Sequence, residues 1–178
     1  KTFAGGHITM SGANSASSLA SHPIRIVFLH EVDRFPTSAG TEGDPIALAK
    51  KRTTTFWNRK IIMTSTPTVK GASRIEQAFL ESDQRKYYVP CPKCGEFQIL
   101  MWANIKWDKD ENDKHLPETA RYVCEHCQHE IKESDKSRLL LGGEWRATEE
   151  SNGIAGFWLN ELYSPWVSWA EMVSTFLE

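Results

Sequence analysis

The sequence predicts a mixed α/β fold with a parallel sheet, followed by a small unit built around four cysteines. Three observations carry this expectation. Two short apolar segments, Ile24-Arg25-Ile26-Val27-Phe28-Leu29 and Lys60-Ile61-Ile62-Met63-Thr64, flank a helix-like stretch, and a second helix-like stretch follows. Alternation of strand and helix is the pattern of parallel strands joined by crossovers. Beyond about Gln84 the texture changes, and all four cysteines fall into two Cys-x-x-Cys pairs.

Each element has a local reason. Phe3 to Met10 mixes Gly, Ile and Thr and allows a strand; Ser11 to Ser15 is turn chemistry leading into a short helix around Ser17 to Ala20. The run Ile24 to Leu29 is nearly continuous in apolar residues, which predicts a strand buried on both faces. Thr37 to Gly43 is polar loop. Asp44-Pro45 then supplies an N-cap and a first-turn proline for a helix running to about Thr54. After the strand at Lys60–Thr64, a helix is expected from about Ser73 to Leu80, with Ile75, Ala78 and Phe79 on one face. Short strands are expected beside each cysteine pair, at Phe97 to Met101 and Arg121 to Val123, with a polar loop from Asp108 to Lys114. A helix from Glu133 to about Leu141 and aromatic-rich segments around Glu144 and Gly156 complete the chain.

The 178 residues are 40% hydrophobic and 25% charged, enough for one main core and a small satellite. The formal net charge of −2 gives no bulk basic signature, so any contact with nucleic acid has to be local. No apolar run is long enough for a membrane span. No charged, apolar, small-residue leader precedes the first strand-like segment, which gives cytoplasm as the expected compartment. Lys1 at the start, and a last helix with no stop signal, lead us to expect a fragment of a longer protein.

The cysteine set is the strongest chemical signal. Cys91-Pro92-Lys93-Cys94 and Cys124-Glu125-His126-Cys127 form two knuckles whose spacer, Gly95 to Val123, is readily crossed by a hairpin. Two structural disulfides or a redox pair are the alternatives. Matched knuckles in a chain without secretory features favour a closed Cys₄ site holding structural Zn²⁺, since four thiolates suit a d¹⁰ ion. Gly95 supplies the permissive backbone that a tight knuckle needs. His126 and His129 lie close, but four thiolates already complete the shell.

The second signal is the apolar strand ending in His30-Glu31-Val32-Asp33. In nucleotide-hydrolysing P-loop folds such a strand delivers two acidic positions to the carboxyl edge, the first for Mg²⁺ and the second to orient water. Glu31 occupies the second position. His30 occupies the place of the magnesium carboxylate. The third signal is Thr64-Ser65-Thr66-Pro67, a hydroxyl-rich turn closing the next strand, where nucleic-acid motors sense the γ-phosphate. Singly, each is also an ordinary strand end or Ser/Thr turn. Together, with a helix between, they are more specific.

Several runs taken in order extend this pattern: Gly12-Ala13-Asn14-Ser15, Leu29 to Pro36, Thr64 to Thr68, Asp83-Gln84-Arg85, Tyr88 to Gly95, and Leu159-Asn160-Glu161-Leu162-Tyr163-Ser164-Pro165-Trp166. In order and spacing they resemble the large subunit of GpA-type (lambda-like) phage terminases. The resemblance implies a partial P-loop (ASCE-type) ATPase core from an ATP-driven motor that packages double-stranded DNA, with a metal-dependent endonuclease elsewhere in the parent. It also implies Mg²⁺ and ATP in that parent, a terminase small subunit and a portal or procapsid as partners, a homo-oligomeric motor and the host cytoplasm, with no membrane.

The expected domains are 1–84 as the C-terminal half of the ATPase core, 85–132 as a zinc ribbon, and 133–178 as a return to the ATPase body or a linker towards the nuclease domain of the parent. The phosphate-cradling loop and the nuclease carboxylates are not among these residues, so the fragment alone is expected to be inactive. The alternative is a degenerate, non-hydrolysing zinc-ribbon module that binds DNA or protein, a reading that His30 favours. A helicase-type remodeller is a third possibility, which the run around the first knuckle counts against. Lys50-Lys51-Arg52 and Arg59-Lys60 can touch DNA phosphates, although solvated helix faces have the same composition. The seven tryptophans are expected chiefly as core anchors rather than base-stacking groups.

Overall fold

The computed structural model describes residues 1–178. The chain divides into two compact units, Lys1–Ala78 and Phe79–Glu178.

In the first unit, β1 (Thr2–Phe3) and β2 (Gly6–His7) form a short antiparallel hairpin where a single strand was expected. Gly5, at φ 85°, makes the turn that divides them. Helix α1 (Ala16–Ala20) precedes β3 (Ile26–His30), α2 (Pro45–Lys51), β4 (Lys60–Thr64) and α3 (Arg74–Leu80). Strands β3 and β4 pair in parallel, from Ile26 opposite Lys60 to His30 opposite Thr64. Asp44 caps α2 as its position predicts, its Oδ2 accepting from Ala47 N at 2.9 Å with Pro45 next in the helix. The helix stops before Thr54 because the hydroxyls of Thr53 and Thr54 take the carbonyls of Lys50 and Lys51.

The expected two-sided burial of β3 does not hold. Val27 and Leu29 are buried against Ile46 and Ala49 of α2, whereas Ile26 and Phe28, pointing the other way, are 46% and 60% exposed. Helices α1, α2 and α3 supply Leu19, Ile46, Ala49 and Ile75 to one face only, so side-chain alternation decides which residues are covered.

In the second unit, β5 (Arg85–Pro90) is the centre of a four-stranded sheet. Antiparallel β10 (Glu144–Arg146) lies on one edge; antiparallel β6 (Phe97–Ile99) and parallel β11 (Phe157–Trp158) share the other. A second sheet is formed by β7 (Ile105–Lys109), β8 (His115–Val123) and β9 (Glu130–Ile131), all antiparallel. Helix α4 (Lys136–Leu141) and α5 (Trp169–Leu177) complete the unit. Segment 133–178 thus lies within the unit that holds the cysteines, because β10 and β11 flank β5.

Strand β7 escapes a sequence reading, since Lys106, Asp108 and Lys109 look like loop. The expected Asp108–Lys114 loop shrinks to a turn between β7 and β8. Pro117 sits inside β8, where a strand interior normally excludes it. The register shifts between Lys106 and Asp108, and Asp108 N bonds Thr119 Oγ1 at 2.7 Å instead of a ladder carbonyl. The irregularity is what accommodates the proline.

The core of this unit joins the knuckle strands to the last helix: Leu100, Tyr122 and Ile131 pack with Leu162, Trp169 and Val173. Polar side chains fasten the same seam. Tyr163 Oη donates to Tyr87 O at 2.7 Å and accepts from Leu100 N at 2.8 Å, while Asn160 Nδ2 donates to Leu100 O at 2.7 Å. Helix α5 starts on a capping box formed by Ser168 and Glu171. No helix is long and apolar enough to cross a membrane.

Candidate functional site

In the first unit the parallel pairing brings the ends of β3 and β4 to one edge, the place where open α/β sheets bind ligands. His30 and Thr64 are register partners there, with His30 Nδ1 and Thr64 Oγ1 3.0 Å apart. Glu31 follows in the left-handed region, φ 60° and ψ 49°, and turns the chain sharply out of the strand. Such a conformation is uncommon for a residue with a Cβ and tends to mark functional sites. Its carboxylate bonds no protein group. Ser65 Oγ accepts from Asp33 N at 3.2 Å, and Thr66 is exposed beside it.

Asp33 is the organiser of this edge, and the sequence reading gave it no role. Its Oδ2 accepts from Thr68 N at 3.0 Å and Thr68 Oγ1 at 3.1 Å, and its Oδ1 from Ile75 N at 2.9 Å. One carboxylate therefore ties the end of the acidic strand to the hydroxyl turn and to the start of α3. Burial raises its pKa, but hydrogen bonds from Ser73, Ile75 and Thr68 outweigh this and hold it below the ordinary carboxylate range. A lowered folded pKa means that its stabilisation is full above the unfolded value and is lost as pH falls through the folded one. We expect Asp33→Ala to cost about 1–3 kcal/mol. Urea titrations should show that difference at neutral pH and its shrinkage in acid; a pH-independent difference would remove the carboxylate from this role.

The donors at this edge do not by themselves compose a magnesium site. Mg²⁺ requires oxygen ligands in near-octahedral array. His30 offers nitrogen, both oxygens of Asp33 are engaged, and Glu31 is the one free carboxylate.

The second unit gathers Cys91, Cys94, Cys124 and Cys127 so that all four sulfurs lie within 4.8 Å of one another. Each pair sits at the tip of a hairpin, β5–β6 for the first and β8–β9 for the second. Cys91 Sγ and Cys127 Sγ are 3.8 Å apart, and Cys94 Sγ and Cys124 Sγ 3.9 Å. A tetrahedron with metal–sulfur bonds of about 2.3 Å has edges of about 3.8 Å, so the array fits zinc. All four thiols are free rather than joined as disulfides. The Glu96 backbone N–H favours the Cys94 thiolate, but burial and bonds to Cys127, Cys91 and Cys124 push its pKa up to about 12. A divalent cation reverses that balance by binding the thiolates.

The knuckles are near copies. Cys91 N donates to Glu96 O and Gly95 N to Cys91 O; Cys124 N donates to His129 O and Gln128 N to Cys124 O. Gly95 at φ 79° and Gln128 at φ 60° occupy matching left-handed positions. Gln128→Gly is therefore expected to stabilise the unit by about 0.5–1 kcal/mol, read from its thermal midpoint, because glycine carries no Cβ penalty there. Gln98, 1% exposed, links the knuckles: its Oε1 accepts from Glu125 N at 3.1 Å. A lone Gln in a short strand gives no sequence signal for this. His126 pairs with Glu125 at 3.4 Å.

Fold and sites together define a mixed α/β chain with a parallel sheet edge rich in hydroxyls in its first unit and a four-thiol centre in its second. Residues 1–145 match the family described as phage terminase large subunit gpA, ATPase domain, and the chain belongs to that family. It is 29% identical to the terminase large subunit of Enterobacteria phage P21 and 27% identical to that of Escherichia phage lambda. Each alignment covers 94% of this chain and 29% of the relative, so the chain spans under a third of their length. No solved structure matches it.

Proposed function

We propose that this chain is the part of a DNA-packaging terminase large subunit that bears the water-orienting acid, the phosphate-sensing turn and a structural zinc centre. The observation that supports this best is the meeting of His30, Glu31 and Thr64–Thr66 at one parallel-sheet edge in a chain of this family. Glu31, held in a left-handed conformation with a free carboxylate, orients the attacking water and accepts its proton. Thr64, Ser65 and Thr66 sense the state of the nucleotide, and Asp33 passes changes in that turn to α3. Cys91, Cys94, Cys124 and Cys127 hold Zn²⁺, which supplies a cross-link and no reaction step. The parent is an ATP-driven translocase of double-stranded DNA with an endonuclease activity, working as a homo-oligomer with a small subunit and a portal in the host cytoplasm.

The test uses a parent-length protein that includes a phosphate-binding loop. Glu31→Gln is expected to lower ATP turnover by about 10²–10⁴-fold while nucleotide binding is kept. His30→Asp is expected to raise Mg²⁺-dependent turnover, since it restores an oxygen ligand. Unchanged hydrolysis in the Glu31 variant would end the proposal. His30 also favours a second reading, a non-hydrolysing module that binds DNA or protein through the cysteine unit; absence of hydrolysis in both the parent and the His30→Asp form would select it.

A further inference from the structure

The acidic side chains of the first unit are confined to one edge. Residues 1–78 contain ten Lys and Arg against five Asp and Glu, whereas residues 79–178 contain eleven against eighteen. The near-neutral total therefore conceals a basic unit. Its acids gather toward the carboxyl edge of the β3–β4 pair, where Glu31 and Asp33 lie and where Asp44 opens the returning helix α2.

The opposite edge is basic. Helix α2 ends there with Lys50 and Lys51, and the Arg52 carbonyl accepts from Ile24 N at 2.9 Å, which sets the helix end beside Arg25. Lys60 N donates to Arg25 O at 2.9 Å, which brings the start of β4 to the same place, and Arg59 precedes it. Arg25, Lys50, Lys51, Arg59 and Lys60 are all exposed, and none forms an ion pair or a side-chain hydrogen bond. By contrast, Arg74 pairs with Asp44 at 3.4 Å, and Arg52 Nη1 donates to Ala20 O at 2.9 Å. No Asp or Glu occurs between Pro45 and Ile75. Trp57, 96% exposed, projects from the turn between α2 and β4 amid these cations.

We infer that this amino-terminal edge of the parallel sheet grips the phosphate backbone of duplex DNA, with Arg25, Lys50, Lys51, Arg59 and Lys60 as the phosphate-contacting groups and Trp57 packing against the sugars. Complementary charge argues for this occupant: five unpaired cations on a face without acids match a dense line of phosphates. Such contacts position the chain on DNA without reading sequence. The inference goes beyond the nucleotide chemistry proposed above and stands on different residues at the other edge.

The test needs no nucleotide. The 178-residue chain, loaded with zinc, is titrated into a fluorescent duplex of random sequence over a range of salt. Five phosphate contacts predict a slope of log affinity against log salt near about −4.5. The triple variant K50E/K51E/R59E should bind at least about tenfold more weakly, with the slope reduced by roughly 2.7. The control K106E/K114E/K132E makes the same charge change in the second unit and should bind like the unaltered chain. Thermal unfolding verifies that both variants are folded, and W57A, which alters no charge, should weaken binding without changing the slope. No salt-dependent binding by the chain, or equal losses in the two triple variants, would overturn the inference. So would capture of an acidic protein without duplex binding. Failure of Glu31→Gln to affect hydrolysis would leave this result untouched, so the two proposals fail separately.

Discussion

Chelation of the Zn²⁺ proposed for Cys91, Cys94, Cys124 and Cys127 is expected to unfold the Phe79–Glu178 unit. Apparent zinc affinities in small domains amount to about 10–16 kcal/mol. A folded domain exceeds its unfolded state by only about 5–15 kcal/mol, so loss of the ion is comparable with the whole margin. The second unit does have a core of its own around Leu100, Tyr122 and Trp169. Its two sheets, however, present a knuckle each, and beyond the core packing the sulfurs, the Gln98–Glu125 bond and the bond Tyr122 Oη donates to Ile99 O at 3.0 Å join those hairpins. Without metal, the cross-link between the two tips is gone. Metal analysis should find one zinc per chain, and near-UV circular dichroism should collapse on chelation and return with zinc. Cys124→Ser should behave like the chelated protein. A chain with less than one zinc, or with an unchanged spectrum after chelation, would refute the structural site.

Trp169→Ala is expected to be the most damaging single substitution away from the cysteines, at about 3–5 kcal/mol. Trp169 is 0% exposed at the first turn of α5. Its ring lies 6.0 Å from that of Tyr122, and the buried Lys136 ammonium sits 5.4 Å above it. Its indole N–H donates to Leu162 O at 3.2 Å and its backbone N–H to Glu133 Oε2 at 2.9 Å. Truncation leaves a cavity, an unpaired Leu162 carbonyl and a lysine that has lost its aromatic cover. Trp169→Phe retains most of the apolar area and should cost about 1–2 kcal/mol, chiefly the indole hydrogen bond. Trp57→Ala removes a side chain with almost no buried area and should stay within about 0.5 kcal/mol. Urea unfolding of the zinc-loaded chain compares the three. Equal losses at positions 57 and 169 would contradict the packing described.

The tryptophans show where sequence reading loses resolution. All seven were expected mainly as anchors, yet Trp57 and Trp166 are 96% and 89% exposed while Trp169 is fully covered. Composition does not separate these fates, because which side of an element faces the core depends on neighbours remote in sequence. The same applies to β3, whose continuous apolar run mimics a fully buried strand although Phe28 lies open on one face.

What the sequence determined by itself is local. Asp44-Pro45 starts a helix, Ser168 and Glu171 cap another, and each Cys-x-x-Cys forms its own knuckle, since each depends on residues within a turn or a hairpin. The ordered runs from Gly12 to Trp166, the acidic strand, hydroxyl turn and first knuckle among them, likewise carried the resemblance to the family. Tertiary structure alone decided the rest: Asp33 as the tie between that strand, Thr68 and Ile75, Gln98 as the bridge between knuckles, and the gathering of cations at the edge opposite the acids. These partners are separated by tens of residues, and a hydrogen bond or a field of charge exists only once the parallel register and the two-sheet seam have placed them side by side.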